Sequence, residues 1–281
     1  DLVILAVPIS KTEKVIRDIA PLVKRGALVV DTCSVKTLPV KWLKQYLPDN
    51  VSILAAHPMF GPYSTGFDFD KQTWDLKGLQ TVLCPVRLSR TKLAIAKQHL
   101  EKAGLHVIIT SPQEHDRQTA MSLAFVHFLG RSIKRAGIGN QEIFSKGFGD
   151  VLKIYPHTNS DNWQLFYDMN NYNPYAGAVR EKFIQACEFI DEKIEKNRGQ
   201  DELEQLRGLI DKIDIKIIEL LSRRFKHVKE AGRIKREEGL KVKDPKREKE
   251  MISSRIKQGK VDNRFVKKLY RLIFDESYKK Q

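Results

Sequence analysis

Two groups of residues have the types and spacing for chemistry. Arg224 and Lys235 lie 11 residues apart in a stretch without proline. On one helix they share a stripe, offset by about 20° and about 16 Å. Two long cationic side chains reaching toward each other can grip one small dianion. Arg207 lies 17 residues before Arg224, about 25 Å away and about 100° round the helix. It is out of reach of that pocket within one chain but available to a symmetry mate's pocket in a dimer. Ser277 and Gln281 are i and i+4 on one helix face, both uncharged hydrogen-bonding groups, and Asp244-Pro245-Lys246-Arg247-Glu248 separates the helices. The alternative for these residues is a solvated, charged surface on a helical bundle. In the first third, Asp31-xx-Ser34-x-Lys36 follows one apolar run and His57-Pro58-Met59-Phe60-Gly61-Pro62 follows the next. Ligands of open α/β sheets bind beyond the carboxyl ends of strands, where Ser34 and His57 both fall. An imidazole that titrates near neutrality suits proton transfer there, although a lone loop histidine is more often a plain polar surface group.

The elements that must hold these groups are legible. Residues 1–112 alternate apolar runs (Leu2–Val7, Ala27–Asp31, Val51–Ala56, Gln80–Cys84, His106–Thr110) with helix-like stretches (Thr12–Val23, Leu38–Tyr46, Ser89–Ala103). This βαβ rhythm, with continuous rather than alternating apolar runs, predicts a parallel sheet buried on both faces. Ser111-Pro112-Gln113-Glu114 reads as a capping box with proline at the first helical position. From there to about Asn197 the pattern is helical, with breaks expected near Gly137–Gly139, Gly147–Gly149 and Pro156 and a linker over Glu192–Glu202. Leu203, Leu206, Ile210, Ile213, Ile217 and Leu220 then follow the 3-then-4 spacing of a packed seam. The helix is expected from Glu202 to about Glu238, with Gly239 ending it. Arg224 takes the next seam position, and a guanidinium on a packing face implies an anionic partner.

The 281 residues allow about two domains and a core that needs no disulfide staples. With 41% hydrophobic and 30% charged residues the chain reads as a soluble globular protein. The longest apolar run is far short of a membrane span, and no basic segment precedes it as a secretory signal would. Three scattered cysteines, Cys33, Cys84 and Cys187, suggest a reducing, cytoplasmic setting with no disulfide framework and no metal site. Residues 199–281 carry 24 Lys and Arg against 15 Asp and Glu, so most of the net charge of +15 sits there. Such a surface draws polyanions of any kind, from nucleic acid to small dicarboxylates.

Leu206-Arg207, Ile210-Asp211, Ile213-Asp214, Leu220-Leu221, Arg224, Gly232-xx-Lys235, Val242-x-Asp244-xx-Arg247-Glu248 and Ser277-xxx-Gln281 together resemble the all-helical chorismate mutases. In that family three helices per chain intertwine with a second chain, and each site borrows one arginine from the partner. The reaction implied is the pericyclic rearrangement of chorismate to prephenate. It needs a reactive conformer held and charge on the ether oxygen stabilised, without a cofactor. The resemblance implies that Arg207 of the partner and Arg224 hold the two carboxylates with Ser277. Lys235 and Gln281 would donate to the ether oxygen. Glu248 and the backbone near Asp244 would position the ring hydroxyl, with Arg247 alongside. Arginine suits two-pronged carboxylate recognition and lysine a point of developing charge.

His57-Pro58-Met59-Phe60-Gly61-Pro62 with Asp31-xx-Ser34-x-Lys36 resembles the signature of prephenate dehydrogenases. His115-Asp116, His127-Phe128, Asp161–Asp168 and Asn173-Pro174 continue the similarity to about Phe189. The chemistry implied is oxidative decarboxylation of prephenate to 4-hydroxyphenylpyruvate, with NAD or NADP taking the hydride. By that resemblance His57 is the base, Ser34 orients it or the substrate hydroxyl, and Ser34 and Pro8 lie by the cofactor. His127 lines the substrate pocket or supports it from behind, the alternative being a satisfied histidine on a packed helix. Two departures stand out. No G-x-G-x-x-G occurs, so that loop is expected to precede Asp1. The family's substrate-binding arginine is not placed in the helical domain, where the aligned region offers Lys146, Lys153 and His157 instead.

The expectation is therefore an α/β plus all-α protein of three domains. A partial Rossmann-like dehydrogenase domain spans 1–112, a helical dehydrogenase dimerisation domain 113–197, and a three-helix, intertwined-dimer chorismate mutase domain 198–281. It would be a bifunctional tyrosine-biosynthesis enzyme, at least a homodimer, with no nucleic-acid or membrane partner. One alternative is a mutase whose dehydrogenase-like part is regulatory or dimerising. The other, a nucleic-acid-binding helical protein, is disfavoured by the interleaved acids and sparse aromatics.

Overall fold

The computed structural model of the protein describes residues 1–61, 66–68, 73–154, 158, 161–196 and 202–280. The chain divides into two compact units, Asp1–Cys187 and Glu188–Gln281.

The first unit opens with three short strands, β1 (Leu2–Leu5), β2 (Leu28–Asp31) and β3 (Ser52–Pro58), joined by α1 (Ile9–Ile19) and α2 (Thr37–Tyr46). They pair in parallel in chain order, as strands joined by helical crossovers do. The fully parallel sheet expected from the sequence is corrected at the next pair. β6 (Gln80–Arg87) runs antiparallel to β3. The connection between them carries the small hairpin β4 (Gly66–Asp68) and β5 (Thr73–Asp75). Parallel neighbours are joined by a crossover, usually a helix. That returns after β6, where α3 (Arg90–Lys102) leads to β7 (His106–Ile109), parallel to β6. The sheet order is β1-β2-β3-β6-β7.

Alternation along β3 sets the layers. Ile53 joins the core with Ile16 of α1 and Leu43 of α2, and Ala55 packs with Val40 of α2. Leu54 and Ala56 point the other way, toward Leu93, Ala96 and Leu100 of α3. His57 continues the 53–55 series and so belongs to the α2 face.

β7 feeds α4 (Pro112–Thr119). The Ser111 hydroxyl accepts from the Glu114 amide at 3.1 Å, with Pro112 at the first helical position. The helical path runs on through a π-turn at Ala120–Ala124 into α5 (Phe125–Arg135). It stops at Gly137, whose φ of +72° favours glycine. α6 (Lys146–Leu152), α7 (Trp163–Asn171) and α8 (Ala176–Lys196) follow. Gly147 and Gly149 do not break the chain as expected. They lie inside α6, which Ser145 caps by accepting from the Phe148 amide at 3.2 Å. The expected linker is also shortened, because α8 continues to Lys196 on good helix formers. Pro156 lies outside the described residues.

α1 and α2 have no side-chain cap of their own. Carboxylates from the later helices supply one. The Ser10 amide donates to Asp168 Oδ2 of α7 at 3.0 Å. The Lys36 and Thr37 amides donate to Asp116 Oδ1 and Oδ2 of α4 at 2.7 and 2.8 Å. Negative charge at a helix N-terminus is stabilising, so these bonds fix the helical part against the carboxyl end of the sheet.

The second unit contains α9 (Glu202–Glu237), α10 (Pro245–Lys257) and α11 (Asn263–Lys279). α9 ends where Gly239 takes a φ of +67°. Asp244 caps α10 by accepting from the Arg247 amide at 3.0 Å, and Asp262 caps α11. The seam residues Leu203, Leu206, Ile210, Ile213, Ile217 and Leu220 are all exposed in the single chain, at 47–58%. Among the described residues no helix is long and apolar enough to cross a membrane.

Candidate active sites

In the first unit the site is built at the end of β3. Its centre is His57, buried beneath α2 and α4. His57 Nδ1 lies 2.8 Å from His115 Nε2, and His115 Nδ1 lies 2.8 Å from Asp116 Oδ1. Asp116 is held in turn by the two amides at the start of α2, and its backbone carbonyl accepts from Asn173 Nδ2 at 2.9 Å. Burial first, then the His115 ring and Lys36, push the His57 imidazole well below its ordinary value. It is therefore neutral at neutral pH. Burial works to raise the Asp116 carboxyl, but its bonds from His115, Thr37 and Lys36 outweigh this and hold it low.

Lys36 is fully buried beside this chain of groups. Its ammonium is ion-paired with Asp31 Oδ1 and donates to the Ala56 carbonyl at 2.6 Å. Asp31 Oδ1 also accepts from the Cys33 amide at 3.1 Å, while Asp31 Oδ2 is buried without a hydrogen-bond partner. Ser34 is half-buried on the turn between β2 and α2. The ring-to-ring partner of His57 is His115, not Ser34.

His127, on α5, is buried, and its Nδ1 lies 3.7 Å from Asp161 Oδ2, beyond hydrogen-bond reach. Burial lowers its pKa; Asp161 acts to raise it and Arg131 to lower it. Arg131, one helical turn on, donates to the Asp161 carbonyl at 2.7 Å and stacks over the Trp163 ring at 4.2 Å. The Arg131 Nε and His127 Nδ1 atoms are both buried without partners. Of the cations offered by the sequence, Lys153 is exposed and paired with Asp150 at 2.6 Å, Lys146 begins α6, and His157 lies outside the described residues.

The start of α1 does not offer the Ser10 amide to a dinucleotide phosphate. Pro8 precedes α1, and the Ser10 amide behind it is taken by the Asp168 carboxylate.

In the second unit a hollow of about 650 Å³ gathers Arg224, Lys235, Asp244, Arg247, Glu248 and Ser277 from all three helices. Arg224 Nη1 donates to Ser277 Oγ at 2.6 Å, and Ser277 Oγ to the Ile273 carbonyl at 2.6 Å. Lys235 Nζ donates to the Val242 carbonyl at 2.8 Å, across the bend between α9 and α10. Burial disfavours the Arg224 charge, and no carboxylate of the unit pairs with it among the described residues. The hollow thus presents a cation that lacks an anion. His227, which reads from sequence as a bland helix residue, is a further wall. Arg207 is not part of this hollow, and Gln281 lies outside the described residues.

Sequence reasoning missed three features: the direct pairing of His115 with His57, the complete burial of Lys36, and Arg131. Only the last left a local signal, as the i+4 neighbour of His127 on one helix face.

Comparison with known proteins supplies families for both units. Residues 1–109 match the prephenate dehydrogenase nucleotide-binding domain family, and residues 206–281 match chorismate mutase type II. Residues 132–207 match the TYRAAT1-like C-terminal domain family. A probable arogenate/prephenate dehydrogenase of Methanocaldococcus jannaschii is 31% identical over 212 residues, covering 72% of this chain and 45% of that protein. Arogenate dehydrogenase 2, chloroplastic, of Arabidopsis thaliana is 31% identical over 217 residues, 74% of this chain and 58% of its own. The chain spans about half the length of these relatives. The crystal structure of prephenate dehydrogenase from Aquifex aeolicus, in complex with hydroxyphenyl propionate and NAD+, has a TM-score of 0.55 at 20% identity, covering 78% of this chain and 76% of that one. Synechocystis arogenate dehydrogenase has a TM-score of 0.52 at 19% identity, covering 76% and 78%. At these identities the structural likeness is one of fold.

Proposed function

From a chain that joins a prephenate dehydrogenase nucleotide-binding domain to a type II chorismate mutase domain, we propose a bifunctional enzyme of aromatic amino acid biosynthesis. It rearranges chorismate to prephenate and oxidatively decarboxylates prephenate to 4-hydroxyphenylpyruvate. The observation that carries the first activity is the convergence of Arg224, Lys235, Glu248 and Ser277 on one hollow. Arg224 and Ser277 bind one substrate carboxylate. Lys235 stabilises the ether oxygen as its bond to carbon breaks, where a fixed cation acts more strongly on the transition state than on the ground state. Glu248 accepts from the ring hydroxyl. The second carboxylate needs another cation, and Arg207 of a second copy supplies it once the exposed seams of two α9 helices close on each other.

The second activity rests on His57, a neutral imidazole at the end of β3. A nicotinamide co-substrate, NAD or NADP, would supply the hydride acceptor. The part of this chain is the proton: His57 takes it from the ring hydroxyl as that carbon is oxidised, and loss of CO2 then restores aromaticity. Two relatives are named for arogenate, which carries an amino group where prephenate has a keto group. The test offers chorismate, prephenate and arogenate separately to the whole protein with each nicotinamide. The proposal expects prephenate from chorismate and reduced cofactor from prephenate. Reduction with arogenate alone would reassign the second substrate, and inert chorismate would remove the first activity.

A further inference from the structure

His57 and His115 come from different layers, one at the end of β3 and the other from the first turns of α4. Their Nδ1 and Nε2 atoms are 2.8 Å apart. Two ring nitrogens at that distance share one proton, so one is the donor and the other the lone pair. The third group settles which is which. Asp116 Oδ1 and Oδ2 both accept backbone amides, from Lys36 and Thr37, which is the bonding of an ionised carboxylate. An ionised carboxylate only accepts, so the His115 Nδ1 atom 2.8 Å from Oδ1 bears a hydrogen. In the form of His115 that carries a single ring proton, on Nδ1, its Nε2 is a lone pair, and His57 Nδ1 is the N–H that donates to it. Neutral His57 is left with its lone pair on Nε2.

We propose that His115 is a positioning residue for the proton transfer: anchored by Asp116, it accepts the Nδ1–H of His57 and so holds His57 in the tautomer whose Nε2 is basic. The inference rests on the reading of His57 as the base. Free histidine favours the opposite tautomer, with hydrogen on Nε2, in which the base could not take a proton there. The same chain receives the product charge. When a substrate O–H bond breaks, its proton forms a bond to His57 Nε2 and its electron pair stays on oxygen. The Nδ1 proton of His57 can then pass to His115 Nε2, placing the positive charge against the Asp116 carboxylate. No oxidant is needed for this proton relay. The charged groups around it are accounted for: Lys36 faces His57, with its ammonium offset by Asp31, and Asp116 faces His115. Asp116 is also the cap of α2, so the carboxylate that docks the helical part on the sheet is the one that sets the tautomer.

The test is nitrogen NMR of the whole protein with ¹⁵N-labelled histidine, at a pH where His57 is neutral, without cofactor or substrate. The wild type should show His57 protonated on Nδ1. In His115→Ala it should move to the Nε2–H form, and in His115→Gln, whose amide oxygen can accept from Nδ1–H, it should return. Turnover of prephenate should fall on the order of 10²–10⁴-fold in His115→Ala with KM little changed, the scale expected for a misheld base, and recover in part in His115→Gln. An Nε2–H His57 in the wild type, or an unchanged tautomer in His115→Ala, would overturn the proposal. Should His115→Ala not fold, the wild-type spectrum and His115→Gln decide. A wild type with the Nδ1–H tautomer that leaves prephenate untouched would instead count against the substrate reading, leaving the relay in place.

Discussion

At the scale of single residues, the two sites differ in what they ask of charge. The first holds its reactive group neutral, and the second keeps a cation short of a partner. His57→Asn, which keeps polarity but cannot take a proton, should lower prephenate oxidation about 10²–10⁴-fold with prephenate binding little changed. A loss of binding instead would make His57 a substrate clamp. Burial also makes His57 a source of pH-dependent stability. Its folded pKa is depressed, so below about pH 6.5 the unfolded chain binds a proton that the folded one does not. Stability is full above that pH and falls as the pH drops toward the depressed value. His127 is depressed in the same direction and adds to the slope. Thermal melts of the whole protein between pH 8 and pH 5 should show this acid loss, and His57→Asn should flatten it. Lys36→Met leaves Asp31 buried and unpaired and should cost about 3–5 kcal/mol, read as a denaturant midpoint. The sequence made His57 legible through the His57–Pro62 motif and its resemblance to prephenate dehydrogenases, since a lone histidine after an apolar strand also reads as a plain surface group. It could not reveal His115 as its partner, 58 residues away, since that contact exists only once α4 lies over the sheet. Nor could it show that Lys36 is buried, because lysine beside a strand ordinarily reads as solvated.

At the scale of elements, the strands and helices follow from apolar runs, caps and glycines, and the departures have local causes. β6 turned out antiparallel because a hairpin takes the place of a crossover before it. Glycines 147 and 149 failed to break the chain because Ser145 starts a helix over them. The borrowed caps were invisible, since α1 and α2 lack a capping side chain in their own sequence. Asp168→Ala should cost about 1 kcal/mol in stability through the lost bond to the Ser10 amide, measured against the wild type by denaturant unfolding. Gly130 on α5 makes a sharper prediction. A Cβ there would lie 2.0 Å from Thr158 Oγ1 and 2.7 Å from Thr158 Cβ, and Thr158 is itself buried. A β-branched side chain cannot swing clear, so Gly130→Ala should destabilise by about 1–3 kcal/mol. An unchanged melting temperature would show that the close approach is relieved at no cost.

At the scale of the whole molecule, the two proposed reactions are consecutive, the product of one unit being the substrate of the other. Both handle small dicarboxylates, which fits the basic excess. Six exposed apolar residues in a 3–4 seam call for a covering surface, and a second α9 matches their spacing. If Arg207 then serves the partner's hollow, mixing inactive Arg207→Ala chains with inactive Arg224→Ala chains should restore part of the mutase activity, because one hybrid site is intact. No recovery after exchange would argue that each chain closes its own site. The helix spacing put Arg224 and Lys235 on one stripe and the resemblance to chorismate mutases implied the role of Ser277, whereas a pocket completed by another chain is not a property of one sequence alone. The most direct test is chorismate turnover by three forms of the whole protein. Wild type and His57→Asn should form prephenate at equal rates, and Arg224→Ala should be slower by at least about 10²-fold while folding normally. Full activity in Arg224→Ala, or a wild type that leaves chorismate unchanged, would contradict the account.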